Sequence, residues 1–258
     1  MRLAATLIIV GSLLASMDVR AEGRAQHTRL MTTNGPIHVW TPRGYDSKTA
    51  GIVVYVHGLY TTVDRAWREH QLARQFAESG VNAIYIACEA PTRPGKRVSW
   101  TDLSDLLTHV SEGLGTALPT GRVAAIGHSG AYRTLSAWLD NDELGTVALI
   151  DALYGDVPRF REWIEGSENR RLIDVADLAR RWTDDLHASL PETVSYDSFP
   201  AAEAGRLVGA RQARIVYVRS KLGHMPLITG GVALPMILRA LRLPTVASAS
   251  REAPIKGL

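Results

Sequence analysis

The stretch Arg122–Arg133, Arg-Val-Ala-Ala-Ile-Gly-His-Ser-Gly-Ala-Tyr-Arg, decides how this chain is read. The apolar run Val123–Ile126 stops at a glycine, the cluster Gly127-His128-Ser129-Gly130-Ala131 follows, and Tyr132–Leu139 has helix-forming residues with apolar spacing. Strand, tight turn and helix in that order give a G-x-S-x-G-like cluster a mechanical meaning. So sharp a turn brings the residues two before and two after the serine almost into contact, so both must be small. Here they are Gly127 and Ala131, and Gly130 lets the helix begin against the strand. Ser129 is then expected in a strained backbone conformation, its hydroxyl aimed away from the sheet.

Outward from this turn, the chain alternates between two periods. Gly51–Val56 is a continuous β-branched run of the kind a strand buried on both faces needs, and it ends in His57-Gly58-Leu59-Tyr60. A helix is expected over Arg65–Ser79, closed by Gly80, then a strand over Val81–Ala87 and a helix over Ser99–Leu114. Thr146–Ile150 is a further strand ending in Asp151, and Arg214–Val218 a clear late one before a helix over Pro235–Leu241. His38–Trp40 reads as a short edge strand and Arg171–Val175 as a strand candidate. Strands alternating with helices at this pitch predict an α/β architecture: a doubly wound, mostly parallel sheet with helices on both faces. Right-handed crossovers place the strand C-termini on one side, where ligands bind. His57, Ser129 and Asp151 all fall there.

Between Tyr154 and Gln212 the rhythm breaks, and a helix over Leu178–Leu190 precedes an irregular stretch over Pro191–Gln212. Residues 154–212 are expected to supply a small cap over the strand ends. Phe160, Trp163, Trp182, Tyr196 and Phe199 either line a pocket there or pack a satellite core.

Length and composition set the bounds. The 258 residues suit one large domain, 22–258, with no repeat or linker to divide it. There are 29 basic and 26 acidic residues, scattered without a basic stripe, which argues against nucleic acid as a partner. Arg2, the apolar run Leu3–Ala15 and the small residues Val19 and Ala21 read as a secretory signal peptide cut after Ala21. The apolar run is too short for a stable membrane anchor and ends at Asp18. The mature protein is therefore expected to be exported, periplasmic or secreted. Cys88 is the single cysteine, so no internal disulfide forms, and it reads as a small core residue. No His-Glu-x-x-His or paired-cysteine spacing suggests a metal. Gly230-Gly231 lacks the lysine and hydroxyl residue of a phosphate loop, and no cofactor is implied.

With the apolar strand into His57-Gly58, the Gly127–Ala131 turn, an acid at a later strand end and a last histidine, the chain resembles the α/β-hydrolase superfamily from about Gly51 to Leu241. The order Ser…Asp…His is that family's order. A serine hydroxyl needs a base within hydrogen-bond reach to act as a nucleophile, and Ser129 is the candidate. The base belongs on the loop after the last strand, where His224, between Gly223 and Pro226, is the available histidine. His187 sits mid-helix among Asp184, Asp185 and Leu190 and reads as a surface residue. His128 flanks the serine but points elsewhere from so sharp a turn, and His57 reads as structural, its ring bonded to nearby backbone. The acid is expected to be Asp151, because a carboxylate that ends so apolar a strand needs a partner. In most of the superfamily the acid follows the next strand, which keeps Asp174 and Asp177 open, with Asp156 a further option. The resemblance implies an oxyanion hole from the amides of Gly130 and Leu59, with Tyr60 the alternative to Leu59.

The resulting expectation is an exported serine hydrolase that cleaves a carboxylic ester, or a related acyl bond, of a small-molecule substrate. An acyltransferase, thioesterase or amidase would use the same residues. A non-catalytic binding protein of the same fold is the reading from another class.

Overall fold

The computed structural model describes residues 24–246. The signal-peptide reading therefore lies outside the described residues. In chain order the elements are β1 (Gln26–Thr32), β2 (Gly35–Thr41), β3 (Gly51–Val56), α1 (Val63–Glu69), α2 (Leu72–Ser79), β4 (Ala83–Cys88), α3 (Leu103–Leu114), β5 (Val123–His128) and α4 (Tyr132–Ala137). They continue with β6 (Leu144–Ile150), α5 (Val157–Glu165), β7 (Arg171–Ala176), α6 (Arg180–Ala188), β8 (Thr193–Tyr196), β9 (Ile215–Arg219), α7 (Pro226–Thr229) and α8 (Ala233–Ala240).

Among the described residues the strands form one sheet in the order β1-β2-β4-β3-β5-β6-β7-β9-β8. From β4 to β8 every neighbouring pair is parallel, and β1 and β2 are antiparallel additions. The parallel strands are buried along their whole length except at Thr146 of β6, the β8 edge and the end of β9, as their apolar runs require. Their side chains alternate between two cores. Ile52, Val54 and Val56 of β3 join Val123 and Ala125 of β5 under α3, α4, α5 and α6. Val53 and Tyr55 join Ala124 and Ile126 under α1, α2, α7 and α8. Cys88 is a fully buried free thiol in the first of these cores.

The order also locates a crevice. The chain runs from β3 outward to β4, then returns across β3 to place β5 on its other side. Loops leaving β3 and β5 therefore diverge to opposite faces, and ligands bind at such a switch point. The loops in question are His57–Leu59 and Ser129–Ala131.

Several elements differ from the sequence reading. The expected helix over 65–79 is two helices, because Gln71 takes a left-handed φ of 49° between them. That break turns His70 inward, where it is 3% exposed and accepts from or donates to the Tyr55 hydroxyl at 3.1 Å. β2 is not an edge strand: the polar, largely exposed β1 pairs outside it through a tight hairpin at Thr32–Gly35. The stretch 191–212 contains the edge strand β8. The expected cap is correspondingly smaller, since β7, α6 and β8 of residues 154–212 belong to the main fold. Phe160 and Trp163 are core, at 0% and 3% exposure, and Trp182, Tyr196 and Phe199 pack partly buried against the two cores.

The turn after β5 has the predicted crowding. A Cβ built on Gly127 would stand 2.9 Å from the Ala131 Cβ and 2.6 Å from Leu135 Cδ1. Gly127→Ala is therefore expected to cost about 1–3 kcal/mol through overpacking. A fall in the urea midpoint at unchanged m-value would register it; an unchanged midpoint would show that Leu135 yields freely.

Candidate active site

β5 delivers Ser129 at its C-terminal end with φ of +55°, a left-handed conformation that strains any residue other than glycine. Close packing enforces it. A Cβ on Gly58 would lie 2.8 Å from the Ser129 Cβ, and one on Gly130 would lie 2.4 Å from Leu59 Cγ. Two backbones, one from β3 and one from β5, thus approach through glycines.

The second group is a carboxylate–imidazole pair. Asp151 directly follows β6, is fully buried, and its Oδ2 lies 2.6 Å from His224 Nδ1. The amides of Asp177 and Ala179 donate to Oδ1 at 2.9 and 2.8 Å, and the amide of Leu178 donates to Oδ2 at 3.2 Å. The Tyr154 hydroxyl donates to Oδ2 at 3.3 Å. Burial pushes this carboxyl up, but the His224 hydrogen bond and the three amides outweigh it and hold the group at about 2. Asp151 is thus an anion at neutral pH. The bond at Nδ1 leaves His224 Nε2 as the free ring nitrogen, and the side chain is 24% exposed.

His128 is the residue whose part the sequence understated. It does point away from Ser129, but its Nε2–H donates to the His224 carbonyl at 3.2 Å. The two rings lie 4.4 Å apart. Burial, with His224 and His70 nearby, lowers His128 to about 3, and burial lowers His70 to about 4. Both are neutral supports behind the turn. Adjacency to Ser129 was the available signal for His128. His57 is structural as expected: Nδ1–H donates to the Gly58 carbonyl at 2.7 Å, and Nε2 accepts from the Ala90 amide at 3.0 Å.

The structure brings His224 and Asp151 together and sets them over the loop that carries Ser129. Among the described residues it forms no hydrogen bond between Ser129 and His224. The alternative acids are placed elsewhere. Asp174 is buried beside His187, 3.3 Å from its Nε2; Asp177 turns its amide to Asp151; Asp156 precedes α5. His187 is not a surface residue. It is 7% exposed and stacked on Tyr217 at 4.5 Å, because it lies on the inner face of α6. Of the two amides weighed beside Gly130, that of Tyr60 donates to the Thr92 carbonyl at 2.8 Å. The Leu59 amide has no acceptor among the described residues, and Gly130 opens a helical turn, where the first amides lack intrahelical acceptors. No group of three or more His, Cys, Asp or Glu among the described residues is placed to hold a metal ion. No described helix is long and apolar enough to cross a membrane.

No protein-family model matches the sequence, and no curated protein matches it. Solved structures do. The feruloyl esterase module from Clostridium thermocellum, complexed with sinapinate, superposes with a TM-score of 0.53 over 84% of this chain and 88% of that one, at 14% identity. An S-formylglutathione hydrolase from Agrobacterium tumefaciens gives 0.53 over 86% and 96%, at 11% identity. The fluorophosphonate-binding serine hydrolase F of Staphylococcus aureus gives 0.53 over 84% and 97%, at 13% identity. This chain has the α/β-hydrolase fold. Ser129 stands in the turn that directly follows β5, at the C-terminal ends of the strands.

The buried groups set an acid response. His70 and His128 sit below their ordinary value of 6.5 and Asp151 below its ordinary 3.8, so the unfolded chain binds each proton first as pH falls. Their stability contribution is complete above pH 6.5. It is expected to fall from 6.5 toward 3 through the histidines and from 3.8 toward 2 through Asp151. Denaturant titrations from pH 7 to 3 check this. Asp151→Asn should cost about 1–3 kcal/mol at pH 7, since an amide NH2 would then face backbone donors, and the stage below pH 4 should shrink. Equal pH slopes in both proteins would contradict it.

Proposed function

We propose that the protein is an exported serine hydrolase that cleaves a small-molecule carboxylic ester, or a related acyl bond, through an acyl-enzyme. The observation that carries this reading is the 2.6 Å bond between His224 and an ionised, fully buried Asp151 above the strained Ser129 turn. The likeness to esterases and serine hydrolases supports it at the level of fold.

Ser129 Oγ attacks the acyl carbonyl while His224 Nε2 takes its proton. A hydroxyl not yet bonded to its base is common before substrate arrives. Asp151 holds the Nδ1–H tautomer and stabilises the imidazolium without taking the proton. The amides of Leu59 and Gly130 receive the oxyanion. His224 then protonates the departing alcohol, water repeats the cycle, and the acid leaves. Tyr154 and the Asp177–Ala179 amides fix the carboxylate, and His128 fixes the loop that carries the base. Export rests on the signal-peptide pattern of Met1–Ala21, and the mature chain is expected to begin at Glu22.

Ser129→Ala is expected to lower kcat/KM for a short p-nitrophenyl ester by at least about 10³-fold with an unchanged thermal midpoint. A fluorophosphonate should label the native protein at Ser129 and leave the variant unlabelled. Undiminished turnover in the variant, or no labelling of the native protein, would overturn the reading.

A further inference from the structure

At the opposite end of the sheet, where β7 and β9 begin, five arginines gather with no carboxylate within 4 Å of their guanidinium groups among the described residues. Arg171 opens β7 and is 3% exposed. Its Nε and Nη1 donate to the carbonyls of Ala213 and Ala240 at 2.8 Å each, and its Nη2 donates to that of Ala210. Arg242 donates to the carbonyls of Arg211 and Gln212 at 3.1 and 2.6 Å. Arg211 donates to Leu243, and Arg239 to Gly205 and Glu78, again through carbonyl oxygens. Arg206 makes no hydrogen bond among the described residues. Carbonyls orient a guanidinium but do not neutralise it. By contrast Arg29, Arg65, Arg74, Arg159, Arg214 and Arg219 each have a carboxylate within 4 Å. None of the five clustered arginines does among the described residues.

Arg206, Arg211 and Arg239 line one open cavity of about 490 Å³, with Gln212, Ser79 and Thr245 on its walls. That volume lies within the range of small-molecule sites. Each guanidinium has five N–H donors in a planar fork suited to tetrahedral oxyanions, and the carbonyl contacts leave several of them unused. Arg171 behind the wall is depressed to about 10 by its burial and by the nearby Arg242 and Arg211. Like charges held this close raise one another's energy, and a bound anion relieves that repulsion.

We propose that this cavity is an anion site for a phosphate-bearing ligand carrying two or more negative charges, separate from the Ser129 site. Ser129, Asp151 and His224 stand at the C-terminal ends of the strands and the cavity at the N-terminal ends, so the site is independent of the acyl chemistry proposed above. Three guanidinium forks around one cavity favour a diphosphate or a phosphomonoester over a monovalent anion.

Calorimetric titration of the full chain with inorganic pyrophosphate, against sodium chloride of matched ionic strength, tests the site. Co-sedimentation with phosphatidylcholine vesicles carrying phosphatidic acid distinguishes a phosphomonoester on a lipid surface from a free ligand. Saturable binding in either arm is expected, weakened at least tenfold in Arg206→Gln, whose side chain makes no hydrogen bond or ion pair among the described residues. Arg206→Gln/Arg211→Gln should weaken it further, while Arg206→Lys should retain most of it. Ester turnover should be unchanged in Arg206→Gln. No saturable binding in either arm, or binding indifferent to Arg206→Gln, would overturn the proposal.

Discussion

A negative charge with no exposure to solvent must be compensated where it sits, and Asp151 imposes that demand on the C-terminal end of the sheet. Its five hydrogen bonds come from three separate parts of the chain: Tyr154 just downstream, the amides of 177–179 at the end of β7, and His224 after β9. Removing any one leaves the others around an underpaired carboxylate. The loops leaving β6, β7 and β9 are thereby tied to a single point. The imidazole that results is held at Nδ1 while its other nitrogen has no hydrogen-bond partner among the described residues.

Backbone strain is distributed in the same place. Among the described residues five non-glycine positions have positive φ, and three of them, Tyr60, Ser129 and Asp151, lie just beyond β3, β5 and β6. Such conformations persist only when surrounding packing over-determines them. Here the surroundings are glycines at 58, 127 and 130, each of which admits a neighbouring chain that a Cβ would exclude. The switch from β4 across β3 to β5 then opens the crevice above these strained ends.

The parallel strands were legible because burial on both faces demands unbroken apolar runs, and β3, β5 and β6 have them. The serine turn was legible because its sterics restrict the residues at 127 and 131. Asp151 was legible for the same reason that it matters: a carboxylate at the end of an apolar strand cannot stand alone. Other features had weaker local signals. β1 is polar and exposed, so only the Asn34-Gly35 turn marks its hairpin. β8 has four residues and owes its existence to pairing with β9. The break at Gln71 accompanies the inward packing of His70 and Gln75, whose amide donates to the carbonyls of His70 and Ile228, 153 residues apart in the latter case. No window of sequence contains that contact.

The contrast between Asp151 and Asp174 shows why sequence position alone could not separate them. Each is a fully buried carboxylate, and each has acquired an imidazole, as burial requires. Asp174 is the fourth residue of β7, and the period of two turns its side chain to the same face as Leu172, beneath α6. α6 supplies His187 from above, and Tyr217 of β9 stacks on that ring. Burial raises the Asp174 carboxyl above its ordinary value, and the His187 side chain is 4% exposed. Asp151 stands one residue beyond its strand, where backbone amides turn toward it and lower its pKa. His224, at 24% exposure, faces solvent beside the serine turn. Two similar pairs thus differ by the distance of their acid from a strand end, and with it goes the exposure of the imidazole, 24% for His224 against 4% for His187.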